Sequence, residues 1–402
     1  MERKILHIDV NNAFLSWTAV VRLKNGEALD IRTIPSIIGG DEAQRKGIVL
    51  AKSNIAKQFG IQTGEPIYFA RKKCPQISIY QSDFKVYYKY SNALYNLLLE
   101  YTDKIERFSI DECFIDVTGY LPKNKTLIET AYEIGKRVKE ELGFTVNIGV
   151  SSNKLLAKMA SDFQKPDKVH TLFKEEIEQK MWNLPVSELF MVGRKSLPKL
   201  QKMGIKTIGD LAKQDEKQII KIFGKYGKMI WEYANGIDAE EVNSEAEKPK
   251  GVGNSITLPY DYTDINKLEE VLIALADQVS YRLRTYNMLG TVVNVQIKTN
   301  EFKTFSHQKK LDVATDSTKV ILEQAKKLLE TLYKGTPIRL IGLRVDGLVE
   351  KDEVQISLFD VKENEKQEKL DKVLDNLKQK YGYDKITRAG KMNLDKSITF
   401  KD

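Results

Sequence analysis

Residues 4–10, KILHIDV, and residues 107–117, RFSIDECFIDV, decide how this chain is read. Both are short runs rich in Ile, Val and Phe, bounded by polar residues, and both read as buried strands. The first ends on Asp9; the second carries the adjacent pair Asp111 and Glu112. An ionised carboxylate in a buried strand is costly unless positive charge meets it. Neither run contains an Arg or Lys placed to do so, and no His or Cys cluster lies near. Hard oxygen donors without softer ligands point to magnesium. Two such ions held by shared carboxylates form a clamp for phosphoryl or nucleotidyl transfer. Each motif alone has an ordinary reading, Asp9 as a turn former and Asp111-Glu112 as a solvated tip. Their combination supports the metal reading.

Working outward, 402 residues suffice for two to four domains. The start, MERK, runs straight into a strand, and no apolar run reaches the roughly 20 residues of a bilayer span. A cytoplasmic protein without membrane contact is expected. Cys74 and Cys113 are the only cysteines, so a disulfide framework and thiolate metal site are excluded. Three scattered histidines argue against zinc. A net charge of +8 is compatible with nucleic acid without establishing it.

A strand and a short helix from Asn11-Asn12 open the chain, and glycines break residues 22–75 into short elements. Helical spacing covers FKVYYKYSNALYNLLLEY (84–101) and TAYEIGKRVKEELGF (130–144), followed by the strand TVNIGV and the helix NKLLAKMASDF. Together these suit an α+β domain. The segment MVGRKSLPKLQKMGIKTIGDLAK (191–213) reads as a helix-hairpin-helix, with Gly193 in the hairpin and Gly204 as a helix cap. Such hairpins grip DNA backbone, here aided by Arg194 and Lys195. Polar residues 238–252 read as a linker. A β-α-β-β-α-β pattern follows, its strands and strand ends carrying Lys298, Lys303, Lys309, Lys310, Arg339 and Arg344, with one face expected to lie along a duplex.

Three motifs in this order, HIDVNNAF (7–14), SIDECFIDVTG (109–119) and GVSSNKLLAKMASDFQKPD (149–167), resemble the Y-family (DinB/UmuC) DNA polymerases, most closely the bacterial polymerase IV type. The resemblance covers residues 1 to about 360. It implies a multidomain α+β right hand: palm at 1–20 and 76–168, fingers at 21–75, a helix-hairpin-helix thumb at 169–237, a linker at 238–249, a β-α-β-β-α-β little finger at 250–360 and a tail at 361–402. The implied activity is template-directed, low-fidelity synthesis past lesions, without proofreading, on primer-template DNA with deoxynucleoside triphosphates. The alternative is a clamp-tethered DNA-binding factor with little chemistry.

The resemblance assigns two Mg2+ ions to Asp9, Asp111 and Glu112, with the Val10 carbonyl as a further ligand. It places Phe14 at the steric gate that excludes a 2′-hydroxyl, although Phe14 reads equally as a core residue of the first helix. Lys165 maps to a triphosphate-binding lysine, and Asn54 and Lys57 replace the usual Tyr and Arg of the fingers. Asn11 stands where many relatives have Asp, and Met191 replaces a hairpin glycine. Ile48 and Leu50 are expected to roof the nascent base pair, their bulk favouring small or minor-groove lesions. Gln355-Ile356-Ser357-Leu358-Phe359 resembles a sliding-clamp-binding motif, or else is a last edge strand. A monomer is expected. Gly39-Gly40-Asp41-Glu42 resembles a diguanylate cyclase signature, but Ala43 follows instead of Phe, the segment precedes the palm helices, and no acidic strand is correctly placed before it.

Overall fold

A computed structural model describes residues 2–40, 45, 47–122, 124–245, 248–351, 361–382, 386 and 398. The expected clamp motif, 355–359, and Asp41 to Ala43 lie outside the described residues. Two units result, one of the described residues within 2–40 and 48–245, the other of residues 45 and 47 and the described residues from 248 onward.

In the first unit, β1 (Ile5–Val10) leads into α1 (Ala13–Lys24), followed by β2 (Ser36–Gly39), β3 (Val49–Lys52), α2 (Asn54–Gln58), α3 (Ile67–Lys73), β4 (Ser78–Gln81) and α4 (Phe84–Leu98). Next come β5 (Ile105–Arg107), β6 (Glu112–Asp116), α5 (Leu127–Arg137), β7 (Val146–Ser151), α6 (Lys154–Ser161) and β8 (Val169–Thr171). A five-stranded sheet has the order β5-β6-β1-β7-β8, with β1 antiparallel to both neighbours. Every residue of β1 is buried because both faces are covered. Leu6, Ile8 and Val10 enter a core with Trp17, Tyr87 and Leu94. His7 and Asp9, by the alternation of a strand, face the other way. On that side α6 lies so close to β7 that a Cβ at Gly149 would sit 1.8 Å from the Ala157 carbonyl oxygen. Only glycine permits that approach.

The smaller sheet, β3-β2-β4, has its own core of Ile37, Val49, Ile61 and Ile67. Its third strand, Ser78–Gln81, lies beyond the boundary expected at residue 75, because β4 pairs with β2 in parallel.

Five short helices follow: α7 (Ile177–Lys180), α8 (Leu197–Lys202), α9 (Ile208–Ala212), α10 (Glu216–Phe223) and α11 (Lys225–Ala234). Gly204 takes a φ of +81° at the end of α8, as a left-handed cap requires. Met191, in the glycine's place, sits at a φ of +72°. A side chain there costs about 1 kcal/mol. Met191→Gly is therefore expected to stabilise the protein by about 0.5–1 kcal/mol, read as a shift in denaturant midpoint; an unchanged or lowered midpoint refutes it.

The expected linker begins as an ordered strap. Asp238 accepts the Leu155 amide at 3.0 Å, Arg3 donates to the Glu240 carbonyl at 2.8 Å, and the Asn243 amide donates to Glu106 at 2.8 Å. Two of its acidic side chains have partners far away in sequence, Asp238 the Leu155 amide and Glu240 the Lys154 ammonium.

The second unit consists of β9 (Gly251–Tyr262), α12 (Ile265–Thr285), β10 (Met288–Thr299), β11 (Thr304–Thr315), α13 (Thr318–Leu332), β12 (Ile338–Glu350) and α14 (Val361–Tyr381). The sheet order is β11-β10-β12-β9, with both crossover helices packed on one face. On helix α14, Leu370 and Val373 are exposed while Leu374 and Leu377 are half-buried. Its charged side meets α12. Lys378 pairs with Asp277 at 2.7 Å and Arg284 with Asp375 at 2.6 Å. No described helix is long and apolar enough to cross a membrane.

Candidate active site

Antiparallel pairing sets Asp9 directly opposite Glu112, and the Val10 amide donates to the Asp111 carbonyl at 3.0 Å. The three carboxylate residues, a hundred positions apart in sequence, thus meet at the ends of two adjacent central strands. Asp111 precedes β6 in a bend, where its carboxylate accepts the Ser109 hydroxyl at 2.6 Å.

Positive charge reaches these groups from outside the two acidic runs. Lys158, on α6, lies 2.9 Å from Glu112 and 3.7 Å from Asp9. Lys165, on the loop after α6, lies 2.5 Å from Asp9 and 2.9 Å from Asp162. Inspection of the two acidic runs alone could not find them, because the helix that faces β1 delivers them. The signal was the seven-residue spacing in GVSSNKLLAKMASDFQKPD, which places both near one end of that helix and the loop after it.

Three carboxylates (Asp9, Glu112, Asp162) meet the two ammonium groups, and the Asp111 carboxylate, turned to Ser109, has no ammonium partner among the described residues, so negative charge is in excess. Burial pushes the Asp9 carboxyl up to about 6, against the pull of Lys165 and Lys158. Burial acts on Glu112 in the same direction, but its His7 and Lys158 neighbours overcome it and hold the carboxyl at about 2. His7 itself is driven down to about 4, mainly by burial, and is neutral at pH 7. Its Nδ1 meets Ser161 at 2.8 Å, while its Nε2, 3.7 Å from Glu112, is too distant for a hydrogen bond. Cys113 is inert, its thiol pushed up to about 12 by burial.

The donor set fits a hard divalent cation: all-oxygen ligands, an excess of negative charge, and ammonium groups already occupying positions where cations are favoured. Among the described residues, no three acidic, His or Cys side chains close into a ready-made cage. The lysines stand between them.

Phe14, on the first turn of α1, is partly buried. Its ring stacks on Tyr87 with centroids 4.5 Å apart and meets Phe84 edge-on at 5.9 Å. The ring rests on the core without entering it. Asn54 opens α2 and accepts from Asn12 at 3.2 Å, bringing the small sheet's helix to the end of β1. Lys57 is exposed on the same helix. Ile48 is exposed, and alternation puts Leu50 and Lys52 on its face of β3. Leu50 is partly covered by the core. Burial and the nearby charge of Lys57 lower the Lys52 ammonium's pKa, which marks a basic pair that motif reading overlooked.

Gly193, Arg194 and Lys195 line a shallow groove with Ser196, Lys199 and Tyr226. In the second unit, Lys298, Lys310 and Arg344 lie on the open face of the sheet, together with Asn294, Gln296 and Gln308. The alternation Asn294-Gln296-Lys298 was the signal for these polar residues. Lys309 stands opposite Val293, in the register of the covered face, so the edge strand exposes it elsewhere. Lys303 pairs with Glu301, and Arg339 lies over the Phe302 ring at 4.9 Å.

The impB/mucB/samB family model matches residues 8–162, and that family's C-terminal domain matches 249–358. A DNA polymerase-iota thumb domain matches residues 187–238. DNA polymerase IV of Clostridium acetobutylicum is 49% identical over 97% of this chain and 98% of its own length. DNA polymerase IV 1 of Bacillus subtilis is 35% identical, over 99% and 95%. Among solved structures, a Y-family DNA polymerase chimera of Dbh and Dpo4 superposes with a TM-score of 0.77 at 24% identity, covering 86% of this chain and 99% of the other, a likeness of fold. The matched order of domains and the length of the 49% match place this chain in the Y-family (DinB/UmuC) of DNA polymerases.

Proposed function

We propose that this polymerase performs template-directed, low-fidelity synthesis past damaged DNA by two-metal nucleotidyl transfer, without proofreading. The observation that carries the reading is the meeting of Asp9, Asp111 and Glu112 at adjacent strand ends, in a site with excess negative charge. Magnesium held there by these carboxylates and the Val10 carbonyl would supply Lewis acidity to the primer 3′-hydroxyl and the triphosphate.

The chain's own groups do the rest. Lys165 exchanges its ion pair with Asp9 for the triphosphate, and Lys158 steadies Glu112. Asn54 and Lys57, with Lys52, hold phosphate oxygens through point charges and amide donors. Phe14 excludes the 2′-hydroxyl of a ribonucleotide. Ile48 and Leu50 roof the nascent pair, and their bulk suits small or minor-groove lesions. Arg194 and Lys195, following Gly193, hold the duplex backbone from the thumb. Lys298, Lys310 and Arg344 do so from the little finger, with Lys303, Lys309 and Arg339 at its margins. The domain assignments leave no segment for an exonuclease. The protein works as a monomer in the cytoplasm, on DNA.

The test is extension of a primed template with magnesium and deoxynucleotides, alongside a mismatched primer. Templated extension without excision of the mismatch is expected. A chain that binds the template but adds no nucleotide is an accessory factor instead.

Residues 355–359 tether the enzyme to a sliding clamp, Leu358 and Phe359 filling an apolar cleft. Replacing both with Ala should remove about tenfold or more of clamp-stimulated synthesis and spare unassisted insertion. Equal loss of both activities would assign the motif to folding.

A further inference from the structure

Two buried asparagines next to the carboxylates are not used by the chemistry above. Asn11 is 6% exposed and Asn147 is fully buried. Asn147 stands opposite Asp9 in the β1–β7 register, and Asn11 follows two residues after Asp9 on the same face. Their side chains meet, Asn11 Nδ2 donating to Asn147 Oδ1 at 3.1 Å.

Every remaining bond but one goes to the chain around Lys165. Asn147 Nδ2 donates to the carbonyls of Ser161, at 3.0 Å, and Gln164, at 2.8 Å. Its Oδ1 also accepts the Lys168 amide at 3.3 Å. Asn11 Oδ1 accepts the Asp167 amide at 2.9 Å, and the Thr145 hydroxyl at 2.9 Å. Four backbone groups, two before Lys165 and two after it, are therefore gripped by two amides rooted beside Asp9. The competing tether, Lys139 to Asp167 at 2.8 Å, is solvent-exposed and correspondingly weak.

We infer that the Asn11–Asn147 pair is the positioning device that aims Lys165 at the incoming triphosphate. This rests on the triphosphate role proposed for Lys165. Lysine's flexible stem supplies no orientation of its own, so the loop must be fixed for the ammonium to sit over Asp9. An amide is required at both positions, because each side chain has to donate and accept at once. An Asp at position 11 keeps the acceptor for Asp167 but sets a carboxylate against Asn147 Oδ1. Asn147 must then turn over and release the Ser161 and Gln164 carbonyls.

The test uses full-length protein on a dideoxy-terminated primer-template with magnesium, so that nucleotide affinity is read without turnover. The variants are Asn147→Ala, Asn11→Asp, Lys165→Ala and each amide change combined with Lys165→Ala. Each amide variant should weaken nucleotide binding about tenfold, leaving DNA affinity within about twofold. On the Lys165→Ala background neither should weaken it further, because the pair acts through that lysine. Wild-type nucleotide affinity in the amide variants, or a full additional loss on the Lys165→Ala background, overturns the inference. If Lys165→Ala itself leaves nucleotide affinity unchanged, the triphosphate reading falls and takes the positioning role with it. If Asn147→Ala fails to fold, as judged by melting, isosteric Asn11→Asp decides the question.

Discussion

Glu112→Gln is expected to reduce single-nucleotide insertion by about 10³-fold or more while leaving DNA affinity within about twofold. The substitution preserves shape but removes a charge from a site whose chemistry requires negative oxygen ligands. It also alters the charge balance, since Lys158 keeps an amide oxygen to donate to but loses its charged partner at 2.9 Å, leaving Asp9 and Asp162 as its ionic neighbours. Pre-steady-state insertion rates and fluorescence anisotropy of labelled primer-template separate the two effects. Asp9→Asn should behave alike, with the added loss of the 2.5 Å pair that holds Lys165. Because burial pushes Asp9 up to about 6 while His7 and Lys158 hold Glu112 at about 2, the two carboxylates are not equivalent before metal arrives. Turnover within tenfold of wild type in Glu112→Gln would remove this carboxylate from the ligand set.

Removing the Phe14 ring has the second-largest expected effect. Phe14→Ala should raise the efficiency of ribonucleotide relative to deoxynucleotide insertion by roughly a hundredfold, measured as a ratio of kcat/KM values. The ring gives a hard wall because Tyr87, fully buried, backs it at 4.5 Å and Phe84 flanks it. A wall that could yield would discriminate poorly. Truncation also costs about 1–2 kcal/mol of packing, less than for a fully buried Phe, so the variant should remain folded. An unchanged ratio in a folded variant returns Phe14 to a purely structural role.

Strand β1 and the second half of the other acidic run, β6, were legible as dense apolar runs, but residues 107–111, read as part of one buried strand, form the end of β5 and a half-exposed bend that carries Asp111. The last domain was legible for another reason. Its strands and helices differ in period, and the alternation through Asn294, Gln296 and Lys298 already distinguishes a covered from an open face. Local pattern failed where the partner was remote. The acidic residues at 238–240 suggested a linker, but Arg3 and the Leu155 amide hold them. On α14, pairs between Lys378 and Asp277 and between Arg284 and Asp375 meet α12, a contact that no local pattern in the tail announces.

Sequence by itself determined most element types and the family order of motifs, and it singled out the carboxylates, aromatic and lysine proposed for the site. Those properties depend on hydrophobic period and residue chemistry, which are local. Only the tertiary structure decided what meets the carboxylates: α6, brought against β7 at Gly149, delivers Lys158 and Lys165 to Asp9 and Glu112. It also joined Asn11 to Asn147 across 136 positions. Charge compensation and loop anchoring depend on distance in space, and no spacing along the chain encodes that distance.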